Sequence, residues 1–151
     1  MKWLHRLRSA ARLTPGERLA LAEAWVLYVA THLALRLWPL PRVLAVAERR
    51  LWPRPSRAAA NVSPDRLAWL VDVAGRRTPI RPTCLTRAVV LRSVLARRGV
   101  ACTLRIGVVG GAARLQANAW VEEGHRVLGE SSDLDRWAPL AVWPARGAPP
   151  S

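Results

Sequence analysis

The sequence is poor in the residues that mark metal centres, disulfide-bonded domains and secreted proteins. Its two cysteines, Cys84 and Cys102, have neither the spacing of a zinc site nor the number needed for a disulfide framework. The basic N-terminus is not followed by an apolar segment with a small-residue cleavage site, so no signal peptide is predicted. We therefore expect a cytoplasmic protein that needs no metal and no cofactor.

Lysine and acidic residues are also scarce, whereas arginine is abundant. Lys2 is the only lysine, and 24 Lys and Arg residues against 10 Asp and Glu give a formal net charge of +14. So basic a chain suggests nucleic-acid or membrane-surface binding. However, the arginines are scattered, and no DNA-reading helix motif or pattern of stacking aromatics accompanies them, so nucleic acid is not expected as a partner. The charge then reflects either an arginine-rich composition or an acidic peptide or protein partner.

The longest apolar stretch runs from Leu19 to Leu37. Glu23, His32 and Arg36 interrupt it, so it predicts a helix buried on most of its circumference and not a transmembrane span. With 151 residues, of which 51% are hydrophobic, the chain is long enough for one domain with its own core.

The first hundred residues carry the signals of helices. Thr14-Pro15-Gly16-Glu17 has the form of a capping box with proline at the first helical position. Ser63 and Thr83 are further candidate N-caps, and Gly99 is a candidate C-terminal stop. Together with the prolines that interrupt the chain, these signals predict helices over residues 15–37, 42–50, 64–74 and 84–98.

Beyond Gly99 the apolar residues recur with a period of two, which is typical of strands. The alternation predicts strands from Cys102 to Val108, from Leu115 to Val121 and from Arg126 to Glu130. Turns are expected at Gly110-Gly111 and at Glu123-Gly124.

Helices followed by an antiparallel sheet make an α+β domain. We expect an N-terminal helical region over residues 1–61, a core over 62–142 and a flexible tail over 143–151, all within one compact domain. In the core, the helix that begins at Cys84 should pack on a small antiparallel sheet.

Cys84 occupies the first turn of a predicted helix, a chemically special position. The unpaired N–H groups and the positive end of the helix dipole stabilise a thiolate, and the same N–H groups can hold an oxyanion. Papain-like and transglutaminase-like folds place their nucleophile there, with the base on a following strand. An arbitrary cysteine is more often a small buried apolar residue, and this is the interpretation of Cys102.

The sequence segments around and after Cys84 resemble those of a known family. Residues 81–88, Arg-Pro-Thr-Cys-Leu-Thr-Arg-Ala, are similar to the nucleophile helix of the lasso-peptide B proteins. Residues 104–108, Leu-Arg-Ile-Gly-Val, resemble their first strand. Residues 117–122, Ala-Asn-Ala-Trp-Val-Glu, resemble a segment in which the family has histidine in place of Asn118. Gly129-Glu130 resembles the strand end that carries the acidic residue, and the similarity extends from about Thr14 to Glu130.

This resemblance implies a transglutaminase-fold cysteine peptidase with a Cys-His-acid triad. Cys84 takes the nucleophile position, Asn118 the base position and Glu130 the acid position. Such proteins are bacterial leader peptidases of lasso-peptide, or RiPP, biosynthesis: they hydrolyse a ribosomally made precursor so that a macrolactam synthetase can close its ring. With no room before Thr14 for a leader-recognition domain, the chain resembles the stand-alone type. The implied partners are the precursor peptide, a separate leader-recognition protein and the synthetase.

Asn118 departs from this pattern in a way that matters chemically. An amide has no usable basicity at neutral pH, so it can neither accept the thiol proton nor protonate the leaving amine. We therefore expect this form to be inactive or strongly impaired. The alternative function is a catalytically dead scaffold that binds the precursor, the recognition protein or the synthetase.

The origin of Asn118 stays open among three explanations. The asparagine is an engineered substitution, or it marks a natural pseudoenzyme, or another residue supplies the base. His5, His32 and His125 are the other histidines. By default they belong to a mobile N-terminus, a helix and a turn. Glu130 likewise has alternatives as the acid, namely Asp133 and Asp135.

Overall fold

A computed structural model describes residues 13–48, 61–111, 114–129 and 134–144. Within these ranges the chain forms four α-helices followed by four β-strands. The helices are α1 (Pro15–Leu37), α2 (Leu40–Glu48), α3 (Pro64–Gly75) and α4 (Cys84–Arg97). The strands are β1 (Thr103–Gly111), β2 (Arg114–Glu123), β3 (Arg126–Leu128) and β4 (Ala138–Trp143), with a short 3-10 turn at Leu134–Arg136.

The predicted helix caps are confirmed. Thr14 Oγ1 accepts a hydrogen bond from the Glu17 N–H at 3.2 Å, and Glu17 Oε2 accepts one from the Thr14 N–H at 2.7 Å, which completes the capping box of α1. These bonds to backbone N–H and to Arg66 hold the pKa of Glu17 below its ordinary value. The Ser63 and Thr83 side chains cap α3 and α4 in the same manner.

The sheet is antiparallel, with strand order β3-β2-β1-β4. In the β1–β2 hairpin Leu104 lies opposite Val121, and Gly107 lies opposite Asn118. The pairing of β1 with β4 contains a bulge between Ile106 and Gly107. The sheet therefore has β2 and β1 at its centre, and β2 is the strand next to the short β3.

One row of the sheet faces the helices. Leu104 of β1, Ala119 and Val121 of β2 and Leu128 of β3 belong to the same buried cluster as the apolar face of α4. Helix α4 packs on β2 and β1, while α1 packs on α3 and α4. The α+β architecture, with helices on one face of a small antiparallel sheet, is thus confirmed.

Indoles cover the other face around Gly107. A Cβ at that position would lie 2.8 Å from the Trp137 Cβ and 2.9 Å from the Trp120 Cη2 atom. The Trp120 Nε1–H donates to Glu122 at 2.8 Å, and Glu122 also accepts from Arg105 at 2.7 Å. Only glycine leaves room for these two side chains, so the residue at position 107 is constrained by Trp120 of β2 and by Trp137, which lies just before β4.

Helix α4 also holds the last strand. Arg92 of α4 is buried although its side chain is charged. Its guanidinium donates to the carbonyls of Trp143 and Pro144, the latter at 3.0 Å. These charge-assisted bonds fix the end of β4 against α4.

Some predicted boundaries were wrong. Gly110 and Gly111 belong to β1, which pairs with β2 as far as Arg114, so they are not a turn. Cys102 lies just before β1 and not within a strand, although it is buried as expected. Strand β4 was not predicted. Helix α2 begins at Leu40 and not at Arg42, so Pro41 lies in its first turn instead of only stopping α1. The predicted end of that helix at Arg50 lies outside the described residues.

Helix α1 has the length and composition of a membrane span, and no other helix in the described ranges does. Its Ala20, Ala24 and Tyr28 side chains are nevertheless buried in the core, and its Glu23 forms ion pairs with Arg97 and Arg98 of α4. A helix with these contacts is docked on its own domain, so a membrane span is only weakly indicated.

Candidate functional site

Cys84 is the first residue of α4, and its side chain is exposed. Thr83 adopts an extended conformation before it and caps the helix by accepting from the Thr86 N–H at 3.2 Å. The N–H groups of Cys84 and Leu85 lie too near the start of the helix to have an intrahelical acceptor, whereas the Arg87 N–H donates to the Thr83 carbonyl at 3.0 Å. The predicted placement of this thiol at a helix N-terminus is therefore confirmed.

The thiol lies beside β2. Its Sγ is 3.9 Å from the carbonyl oxygen of Ala117, the residue immediately before Asn118. This is the only hydrogen bond of the Cys84 thiol within the described residues, and no described histidine forms one with it. Cys84 and the strand that carries Asn118 are thus brought together.

The backbone of β2 shows which edge the thiol meets. The two-residue turn Gly124-His125 closes on Glu123 and Arg126, so the polar backbone groups of Glu123 point toward β3. Residues two apart in a strand direct these groups to the same edge, so those of Ala117 and Ala119 also point away from β1. Since β3 pairs only with residues 121–123, this stretch of the edge carries no paired strand among the described residues.

Asn118 reaches the same edge from the opposite face of the sheet. It lies opposite Gly107, on the face that carries Trp120, and is partly buried. Its Oδ1 accepts a hydrogen bond from the Ala119 N–H at 2.9 Å. The carboxamide therefore turns toward the edge at which Cys84 contacts Ala117.

Glu130, the predicted acid, lies outside the described residues, but Gly129 before it does not. The Gly129 carbonyl accepts from Arg87 at 2.5 Å, and Arg87 Nε lies 3.5 Å from an Asp72 oxygen. Arg87 is three residues after Cys84, one turn along α4. The chain up to Gly129 is thereby fixed to α4.

The sequence did not identify Arg87 and Asp72 as residues of the candidate site. The i, i+3 spacing of Cys84 and Arg87 places both on neighbouring positions of one helix, and this signal was available. Gly129 has a positive φ of 75°, and a Cβ there would lie 3.1 Å from Arg87. Glycine is thus required for the close approach of the two segments.

No other candidate residue within the described ranges forms a hydrogen bond with the thiol. His125 is exposed in the β2–β3 turn, and His32 is partly buried in α1, while His5 lies outside the described residues. Asp135 is exposed in the 3-10 turn, and Asp133 is outside the description. Over the described ranges, no group of three or more His, Cys, Asp or Glu side chains is placed to hold a metal ion.

The arrangement has two of the elements of acyl transfer. The exposed thiol is a potential nucleophile, and the N–H groups of the first turn of α4 can stabilise an oxyanion. At the base position, however, the carboxamide of Asn118 can orient or donate a hydrogen bond but cannot accept a proton at neutral pH.

Comparison with known proteins agrees with this architecture. Residues 25–142 match the sequence profile of the Transglutaminase-like superfamily, a span that includes most of α1 and continues almost to the end of β4. No significant match was found among curated proteins or among solved structures.

Proposed function

Because the chain belongs to the transglutaminase-like superfamily, which includes cysteine peptidases, we propose that it is a leader peptidase of lasso-peptide maturation whose base position is occupied by Asn118. The observation that carries the proposal is the Cys84 thiol, exposed at the N-terminus of α4 and 3.9 Å from β2 directly before Asn118. The proposed partners are the precursor peptide, a separate leader-recognition protein and the macrolactam synthetase, and the proposed location is the cytoplasm.

The reaction would proceed through an acyl-thioester. Cys84 Sγ attacks the carbonyl carbon at the end of the leader, and the first-turn N–H groups of α4 stabilise the oxyanion. The C–N bond breaks, the amine of the core peptide leaves with a proton, and water hydrolyses the thioester. Glu130 is the proposed acidic member of the triad.

The missing base sets the rate in this proposal. The first step needs removal of the thiol proton, and the second needs a proton for the leaving amine. Asn118 supplies neither, so turnover should be lower by several orders of magnitude than in a chain with histidine, as in triad variants of other peptidases.

Restoring the base tests the assignment. Asn118→His should raise cleavage of a cognate precursor, supplied with its recognition protein, by about a thousandfold or more. The matched control is Gln116→His, which adds an imidazole to the same strand two residues away, at an exposed position. It should stay as slow as the parent chain.

A second readout needs no precursor. Alkylation of Cys84 by iodoacetamide at pH 6 should be faster in Asn118→His than in the parent chain, because an imidazole beside the sulfur stabilises the thiolate. The buried Cys102 serves as an internal control. Equal alkylation rates in Asn118→His, Gln116→His and the parent chain would contradict the triad assignment.

The carboxamide itself favours a second candidate function, a scaffold that binds without cutting. Asn118 caps the Ala119 N–H on a stretch of the β2 edge that no described strand pairs. An extended peptide could add to such an edge through backbone hydrogen bonds. Affinity for the precursor, the recognition protein or the synthetase that survives Cys84→Ala, without cleavage in Asn118→His, would favour the scaffold over the peptidase.

A further inference from the structure

Helix α1 is apolar on two sides, and only one of them faces the core. Ala20, Ala24 and Tyr28 are buried, whereas Leu19, Val26, Leu33 and Leu37 are 53, 41, 53 and 73% exposed. The spacing of these four residues places them along one face of the helix. We call this face the outer ridge. A row of large exposed apolar side chains is unusual on a globular domain. Where such a row occurs, it usually marks a contact with another molecule.

A pocket of about 250 Å³ adjoins the outer ridge between α1 and the end of α3. Its walls come from Leu21, Ala22 and Trp25 of α1 and from Ala74 of α3, so they are almost entirely apolar. Trp25 is 43% exposed at the mouth. The pocket is thus an open apolar depression that is large enough for one bulky apolar side chain.

The only charged side chains that line the pocket are Arg18 and Arg77. Both residues are exposed, and neither guanidinium forms an ion pair with another described residue. Arg66, Arg97, Arg98, Arg105 and Arg126, in contrast, are all paired with carboxylates. An apolar pocket lined by two available guanidiniums is complementary to an apolar side chain flanked by carboxylates.

We propose that this pocket is a docking site for an acidic segment of a partner protein or peptide. One leucine-like or aromatic side chain of the segment enters between Ala22, Trp25 and Ala74. Carboxylates on either side of it pair with Arg18 and Arg77, and apolar residues further along cover the outer ridge. The site is separate from the thiol and needs no catalysis, so it does not rest on the peptidase assignment.

The shape of the site favours a peptide over a lipid surface. A membrane would meet the outer ridge along its whole length, whereas the pocket occupies only a short stretch of α1 around Trp25. The pocket is also a concave site bounded by two helices, which suits the insertion of a single side chain.

Fluorescence polarisation with a labelled acidic peptide tests the proposal. The probe is a synthetic peptide with one central leucine flanked on each side by glutamates. Arg18→Glu and Arg77→Glu should each weaken its binding by about tenfold or more, as expected when a hydrogen bond between charged groups is lost. Replacing the central leucine of the probe by serine should weaken it similarly.

Arg36→Glu is the matched control. Arg36 is exposed on α1, about 27 Å along the helix from Arg18, and its reversal changes the net charge by the same amount. It should leave the affinity almost unchanged. Alanine-methyl NMR shifts on titration should move at Ala22 and Ala74, which would locate the peptide in the pocket.

Three results would overturn the proposal. The first is no binding of the leucine probe. The second is equal loss of binding in Arg18→Glu, Arg77→Glu and Arg36→Glu, which would mean attraction by net charge alone. The third is sedimentation with anionic lipid vesicles that is lost in Leu33→Ser but kept in Arg18→Glu and Arg77→Glu, which would assign the outer ridge to a membrane surface.

Discussion

The two ends of α4 lie in opposite surroundings. At the C-terminal end Arg97 and Arg98 pair with Glu23 of α1 at 2.6 and 2.8 Å, and the Arg98 side chain is only 1% exposed. At the N-terminal end Thr83 and Cys84 are exposed, and the thiol has one long contact.

This difference separates stability from chemistry along one helix. The residues that tie α4 to the core, from Ala88 to Leu95, follow the thiol by one to three turns. Changes at the first turn should therefore alter reactivity while the fold persists, and changes at the last turn should do the reverse. Each of the following experiments perturbs one end or the region between them.

The largest effect on stability is expected from Glu23→Gln at the buried end. The substitution leaves the charges of Arg97 and Arg98 without their carboxylate in a poorly solvated place, and burial already lowers the pKa of Arg97. We expect a loss of about 3 kcal/mol in the free energy of unfolding, measured by urea denaturation.

The control for Glu23→Gln is Glu123→Gln, which removes the carboxylate of a surface pair with Arg126. Its urea midpoint should hardly move. Equal losses in the two variants would mean that the C-terminal end of α4 is no better anchored than the surface.

A smaller effect is expected from Thr83→Ala at the exposed end. The substitution removes the side chain that accepts from the Thr86 N–H, so unfolding should become easier by about 1 kcal/mol. Thr83→Ser keeps the acceptor and should lose much less. If Thr83→Ala unfolds as easily as Glu23→Gln, the proposed contrast between the two ends fails.

Tyr28 of α1 belongs to the core against which α4 packs, and it should respond to pH. Its hydroxyl is buried beside Gly75 and has no hydrogen-bond partner among the described residues, and this burial raises the pKa of Tyr28 to about 12. The pKa of Tyr28 in the folded protein thus lies above the ordinary 10.0. The neutral phenol therefore contributes fully to the free energy of unfolding below pH 10, and this contribution is lost as the pH rises through 12.

Tyr28→Phe should therefore be close to the parent chain at pH 7, within about 0.5 kcal/mol, since no hydrogen bond is lost. In thermal unfolding from pH 9 to pH 12, the midpoint of the parent should fall more steeply than that of the variant. Parallel curves for the two proteins would show that the phenol does not titrate in this window.

The smallest effect on stability is expected from Cys84→Ala. The side chain is exposed and packs against little, so the free energy of unfolding should change by less than about 0.5 kcal/mol. Rapid alkylation of the native protein should disappear in this variant, because Cys102 is buried. Rapid labelling that persists would mean that Cys102 becomes accessible in the native state.

Much of this fold was predictable because its signals are local. The caps at Thr14, Ser63 and Thr83 each depend on one side chain and the N–H three residues later, so the sequence shows both partners. The period-two pattern likewise located β1 and β2, since alternation reports which side chains face the core.

The errors arose where pairing with residues far away in the sequence determines the local structure. Strand β4 is short, contains Pro139 and is largely exposed, and its pairing with β1 is what makes it a strand. Gly110 and Gly111 are turn formers by composition, but pairing with β2 keeps them extended. Neither outcome is encoded in neighbouring residues.

The candidate site divides in the same way. A thiol at the start of a helix follows from the N-cap and the residue after it, so the position of Cys84 was predictable. The turn of the Asn118 carboxamide onto the Ala119 N–H and the contact of Arg87 with Gly129 depend on how strand edges meet the helix. These contacts could be identified only from the three-dimensional structure.

The guanidinium of Arg92 has a consequence for biosynthesis. It binds the carbonyls of residues 143 and 144, more than fifty positions later in the chain. During translation those acceptors emerge long after α4 has been made. The fourth strand can be fastened only after Pro144 has left the ribosome, so completion of the sheet must follow the synthesis of α4 and of the first three strands.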